Sequence, residues 1–182
     1  SEAEAVEEEV RRLVEESEKR SKELLEDVER LVEESERRSK KLLDDVRKLV
    51  DDLKKELRRV RDRETMKKLL KELEDRVRRI IERLAELSKE VEDRVREIIK
   101  TNEEISDRLR KKVDELLEEL KRRGVDDRVI ERLKRILKEA HDKNKEVSDR
   151  IRKILEELHR KNRKVLEDIK RILDDVRREV ER

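Results

Sequence analysis

The chain has 182 residues, 59% charged and 32% hydrophobic, with no aromatic residue, no Cys, no Pro and a single Gly. Without thiols there is neither a disulfide framework nor a thiolate metal site, and 55 Lys and Arg against 53 Asp and Glu leave a net charge of +2, which gives no basic field for nucleic acid. The longest apolar runs are pairs such as Leu24-Leu25 and Ile98-Ile99, so a soluble chain with no membrane span and no signal-peptide core is expected, cytoplasmic on recombinant expression.

A mean hydropathy of -1.20 would suit a disordered polyelectrolyte. Disordered chains, however, carry few apolar residues and a high net charge, whereas Val, Leu and Ile recur here at helical spacing along the whole length. Ser1-Glu2-Ala3-Glu4 has the form of a capping box and starts the first helix. Its acidic first turns (Glu2, Glu4, Glu7) and basic last turns (Arg58, Arg59, Arg61) match the helix dipole, which places its end near Arg61. Asp62 and Thr65 are both acceptable N-caps, so the first turn is placed between them and the second helix at 65–123. Arg123-Gly124-Val125-Asp126 is the second turn, with Gly124 in the left-handed conformation after the helix end and Asp126 capping a third helix that extends to 181. Three helices of roughly 56 to 61 residues, each about 85 Å long, joined by short turns, predict one all-α domain over 1–182: a long, nearly straight, antiparallel up-down-up three-helix bundle.

An internal repeat supports this. LVEESEKRSKELLEDVER (Leu13 to Arg30) is followed by LVEESERRSKKLLDDVRK (Leu31 to Lys48), an offset of eighteen residues. The second helix repeats at the same offset, EDRVRRIIERL (Glu74 to Leu84) against EDRVREIIKTN (Glu92 to Asn102), and in the third Val129, Val147 and Val165 correspond, as do Ile136, Ile154 and Ile172. Eighteen residues in five turns is about 3.6 per turn, so the apolar stripe imposes no supercoil. Each stripe is wide enough to face two neighbours, which favours a closed three-helix core.

Polar residues interrupt that stripe: Ser17, Ser21, Ser35 and Ser39 on the first helix; Ser88, Asn102 and Ser106 on the second; His141, Asn144, Ser148, His159 and Asn162 on the third. Ser17 and His141 are separated by the same number of positions as Ser35 and His159, and reflection about the two turns sets Ser106, Asn102 and Ser88 opposite Ser17, Ser21 and Ser35. Two buried polar layers are therefore expected. One gathers Ser17, Ser21, Asn102, Ser106, His141, Asn144 and Ser148, with Thr101 at its edge, and the other gathers Ser35, Ser39, Ser88, His159 and Asn162. They are spaced by about 27 Å of helix. A buried polar group without a partner costs about 1 to 3 kcal/mol, so such layers select one helix register. Acid is expected to strain them by charging a buried imidazole.

Ser17 with His141, and Ser35 with His159, have the composition of nucleophilic dyads, but uninterrupted helices supply no oxyanion hole or substrate cavity, so core hydrogen bonds are the reading taken. Each layer offers one imidazole, which is too few for a metal site, and no catalytic, cofactor-binding or metal-ligating residue is assigned. On the charged faces, pairs such as Glu15 with Lys19, Glu16 with Arg20, Glu26 with Arg30 and Glu33 with Arg37 stand in the favourable i to i+4 order of a solvated surface. No aromatic side chain is present to stack on bases or to anchor in lipid, so no nucleic acid and no membrane partner is expected.

The near-repeat, the Ser/Asn/His layers, the capped ends, the Arg-Arg-Gly-Val-Asp-Asp turn and the missing Phe, Tyr, Trp, Pro, Cys and Gln together resemble de novo designed parametric helical bundles with buried hydrogen-bond networks. That resemblance covers the whole chain. It implies a stable structural scaffold, monomeric, with no natural biochemical activity, no enzymatic role, no cofactor and no required partner. A second reading is a helix-binding module: half of a heteromeric bundle, a homodimer, or a cage for a fourth helix. It would require apolar residues where Glu, Lys and Arg now stand, and few are found.

Overall fold

The computed structural model describes residues 1–182. The helices are α1 (Glu2–Leu57, 56 residues), α2 (Arg63–Arg122, 60 residues) and α3 (Asp127–Glu181, 55 residues). They form an all-α, up-down-up three-helix bundle. Along α1 and α3 the contacts advance together, Glu7 with Arg132 and then Glu18 with Lys143. Between α2 and α3 they run in opposite senses, Ser106 with His141 and then Asn102 with Asn144.

Each helix end is built as its residues dictate. The Ser1 hydroxyl accepts from the Glu4 amide at 3.4 Å, and the terminal ammonium lies 3.8 Å from the Glu4 carboxylate. After α2 the Gly124 amide donates to the Lys121 carbonyl and the Val125 amide to the Leu120 carbonyl, both at 3.1 Å, which is the Schellman pairing. Gly124 has φ of 73°, where a side chain would be strained even though nothing lies within 4 Å of a Cβ placed there. Val125 then packs on the cluster containing Leu120, and the Asp126 carboxylate accepts from the Arg128 amide at 3.1 Å.

The first connection differs from expectation: α1 ends at Leu57, not near Arg61, and α2 begins at Arg63, not at 65. Asp62 is the cap, accepting from the Glu64 amide at 3.3 Å and the Thr65 hydroxyl at 3.1 Å, so Thr65 belongs to the first turn of α2. With no Gly to stop α1 abruptly, its last carbonyls accept from the Arg59 and Val60 amides three residues on, a tightening that releases the chain four residues early.

Tertiary packing divides the chain into two compact units, Ser1–Arg30 with Arg94–Ile154 and Leu31–Asp93 with Leu155–Arg182. Each contains a stretch of all three helices. The first unit holds the cluster of Val10, Leu109, Val113, Leu117, Leu120 and Leu133; the second holds that of Val46, Val50, Leu73, Val77, Ile169 and Val176. The eighteen-residue repeat reappears in burial. Val10, Val28 and Val46 on α1, Val77, Val95 and Val113 on α2, and Leu133, Ile151 and Ile169 on α3 are all fully buried. The series through Val129 and through Ile136 are half-buried and flank this centre line.

No large hydrophobic side chain is exposed, and no helix is long and apolar enough to cross a membrane. Surface ion pairs are of two main kinds, those between a carboxylate and an Arg three residues on and those that cross between helices: Arg30 bonds Asp27, not Glu26, because the shorter Asp side chain meets the guanidinium over one turn. Arg123 donates to Glu2 at 2.7 Å and to Glu119 at 2.9 Å, and the hydrogen bond to Glu2 foremost raises its already high pKa. Because only backbone strain opposes a side chain in the second turn, Gly124→Ala is expected to lower stability by about 1 kcal/mol with unchanged helicity. Urea midpoints of the two proteins check this.

Candidate functional site

The two polar layers are the places where the hydrophobic stripe is broken. In the first unit Asn102, on α2, has no exposed surface, and its amide spends every hydrogen-bonding valence on the other two helices. Its Oδ1 accepts from the Ser21 hydroxyl at 2.5 Å and from Asn144 Nδ2 at 3.1 Å. Its Nδ2 donates to Ser148 Oγ at 2.8 Å and to the Asn144 main-chain carbonyl at 3.1 Å. Asn144 Nδ2 returns a bond to the Asn102 carbonyl at 3.0 Å. Ser21, Asn144 and Ser148 are buried around it. The arrangement is closed, since Asn has two donors and two acceptor positions and all four are filled.

In the second unit the layer is thinner. Asn162 Oδ1 accepts from the Ser39 hydroxyl at 3.1 Å, and its Nδ2 donates to Ser88 Oγ at 2.8 Å. Leu84 and Leu166 stand at the repeat positions corresponding to Asn102 and Ser148, so the reciprocal amide pair of the first unit has no counterpart. Ser39 and Asn162 are buried and Ser88 is half-buried.

The histidines face α2, where reflection about the second turn sets His141 opposite Ser106, and not the α1 serines. His141 is exposed, and its Nδ1 lies 3.0 Å from Ser106 Oγ, not against Ser17. The His159 side chain is 29% exposed, and its Nε2 lies 3.8 Å from Glu92 on α2. Position along a helix fixes a residue's level but not its side. Each His lies three residues from an inward Asn, which is about 60° round the helix, and that turns it into the seam with α2. Ser17 lies instead in a recess shared with Ala140 and Val147, between α1 and α3. Ser35, 3% exposed, is left with its hydroxyl buried and without a partner. The full burial on which acid strain was expected to rest is therefore missing, with His141 exposed and His159 half-buried. Thr101 is not in the layer either, since its hydroxyl donates to its own helix at the Glu97 carbonyl, 3.0 Å away.

Chemically, these groups hold one another. Ser106 beside His141 has the composition of a nucleophile and base, but the serine is 6% exposed and faces the packed interior, where a substrate carbonyl has no approach. No group of three or more His, Cys, Asp or Glu side chains converges to hold a metal ion.

No protein-family model and no curated protein matches the chain. Among solved structures it is similar to one described as a computationally designed three helix bundle, with a TM-score of 0.60 and 19% identity over 98% of this chain and 86% of that one. At that identity the likeness is one of fold, and it defines the class: this chain is a three-helix bundle.

The unequal hydrogen bonding predicts an unequal response to mutation. Ser35→Ala is expected to leave stability unchanged or raise it by about 1 kcal/mol, because it removes an orphaned hydroxyl and improves helix propensity. Ser39→Ala is expected to cost about 1 kcal/mol and Asn102→Ala about 2 to 4 kcal/mol, since the latter strands Ser21, Asn144 and Ser148 together. Guanidinium midpoints of the three variants test that order, and equal losses at Ser35 and Ser39 contradict it.

Proposed function

We propose that this chain is a designed structural scaffold with no natural biochemical activity, in which the polar layers fix which residues of the three helices face one another. The observation that carries the reading is the closed hydrogen bonding of Asn102 to Ser21 on one neighbour and to Asn144 and Ser148 on the other. A one-turn shift of any helix would move these groups against Leu and Val and leave several donors unpaired, at about 1 to 3 kcal/mol each. The eighteen-residue near-repeat on all three helices and the described nature of the similar solved structure support a designed origin. On this reading Ser17, Ser35, His141 and His159 are the weaker members of the layers.

The scaffold is not an enzyme, needs no cofactor or partner, unfolds as one domain through its continuous helices, and stays soluble in the cytoplasm on recombinant expression. The alternative of a helix-binding module with a vacant groove is disfavoured because no large hydrophobic side chain is exposed to receive another helix.

One comparison tests the proposal. Light scattering after size exclusion should give the parent protein a mass of 22.3 kDa. A variant with Asn102, Asn144 and Asn162 changed to Leu, and Ser21, Ser39 and Ser148 changed to Ala, should remain helical and stable yet populate dimers and larger species, because continuous apolar stripes permit many pairings. A dimeric parent contradicts the self-contained bundle. A variant that is equally monomeric, with a single set of amide resonances, contradicts the role given to the layers.

A further inference from the structure

The internal repeat allows one seam of the second unit to be compared, position by position, with its counterpart in the first. In the first unit Asn102 spans to α3 as described, and Glu103 crosses the α2–α3 seam to Arg152 at 3.1 Å. Eighteen residues earlier, Leu84 replaces the amide and Ala85 replaces Glu103, so no long side chain crosses. Asn162 donates its amide to Ser88 on α2 and accepts from Ser39 on α1, and it makes no bond at the level of Leu84 and Ala85. What remains between α2 and α3 is a cleft of about 430 Å³, walled by Ile81, Leu84, Ala85 and Leu166. That volume lies within the range of small-molecule sites and well above that of a dry cavity able to hold benzene.

Its polar end is asymmetric in charge. Glu92 and His159 lie at the rim and face each other at 3.8 Å. Arg163 also lines the cleft, exposed and in no ion pair, whereas Arg152 and Arg177, which also face α2, are engaged by Glu103 and Asp149 and by Glu74 and Asp174. Ser88 accepts the bond from Asn162, so its own hydroxyl proton remains to be donated. An aliphatic wall beside one unmatched guanidinium and one spare hydroxyl donor is complementary to a flat hydrocarbon carrying a single negative head.

We propose that this cleft is a binding site for small amphiphilic monoanions, with an aromatic or alicyclic body laid against Leu84, Ala85 and Leu166 and a carboxylate held by Arg163 and Ser88. The site is independent of whether the layers set register.

Titration of the full chain with naphthoate, followed by calorimetry and by amide chemical shifts, tests it. Saturable one-to-one binding is expected, with a Kd of about 1 mM or tighter for a ligand of this size. Ala85→Leu, which fills the cleft, should weaken binding at least about tenfold. Arg163→Gln, at an exposed position that leaves folding intact, should weaken it about fivefold. Lys145→Gln, the counterpart in the other repeat, should not change it. Failure to saturate at about ten times the expected Kd, or affinity unaltered by Arg163→Gln, overturns the site whether or not the Ala85 variant folds. Equal affinity for neutral naphthalenemethanol overturns the assignment to anions.

Discussion

A primary amide placed between three helices has to find partners for two hydrogens and two lone-pair directions, and every other feature of the first unit accommodates Asn102 in doing so. Water, which would satisfy these valences in the unfolded chain, is absent at a residue with no exposed surface. The favourable contribution of each hydrogen bond is small, about 0.5 to 1.5 kcal/mol, because folding only exchanges it for one with water. The penalty for missing it is larger and applies to any competing arrangement. The layer thus contributes less to the depth of the native minimum than to its separation from others.

That separation matters because the apolar stripes carry little positional information. A fully buried Val, Leu or Ile returns every eighteenth residue on all three helices, so one repeat of core resembles the next. The short turns restrain large slips within one chain, whereas one-turn slips and pairings between chains are opposed mainly by groups that only fit once. The inequality of the two layers strengthens this. Asn102 and Ser148 have Leu84 and Leu166 at their repeat positions, so a helix displaced by a whole repeat would set amide against Leu. The same inequality leaves the second unit with an orphaned Ser35 and an open seam beside Ala85.

The helices, the second turn and the polar interruptions were legible from residue types alone, since capping residues, Gly124 and a period near 3.6 act locally. Ser21, Asn102, Asn144 and Ser148 meet at one level, because matching turns reflect residue number into height. The side of the helix was not legible from such differences. Hence residue numbers set His141 level with both Ser17 and Ser106, and His159 level with both Ser35 and Ser88, and only the azimuth turns them to α2. The end of α1 was misjudged by four residues because no Gly marks it and basic residues continue past it. Ala85 follows directly on the Glu74–Leu84 segment that carries the repeat and stands where Glu103 stands eighteen residues later. Its consequence depends on where Asn162 directs its amide, which sequence does not specify.

Asn102 holds the three helices in register only while it is sealed and saturated, and exchange of its side-chain NH2 protons with solvent reads that state directly. Measured by NMR under native conditions, these protons are predicted to exchange only through global unfolding, with a free energy equal to that from denaturant melts. Exchange at the rate of a free amide, or unaffected by Ser21→Ala and Ser148→Ala, would show that the layer is open and that it does not hold the three helices in register.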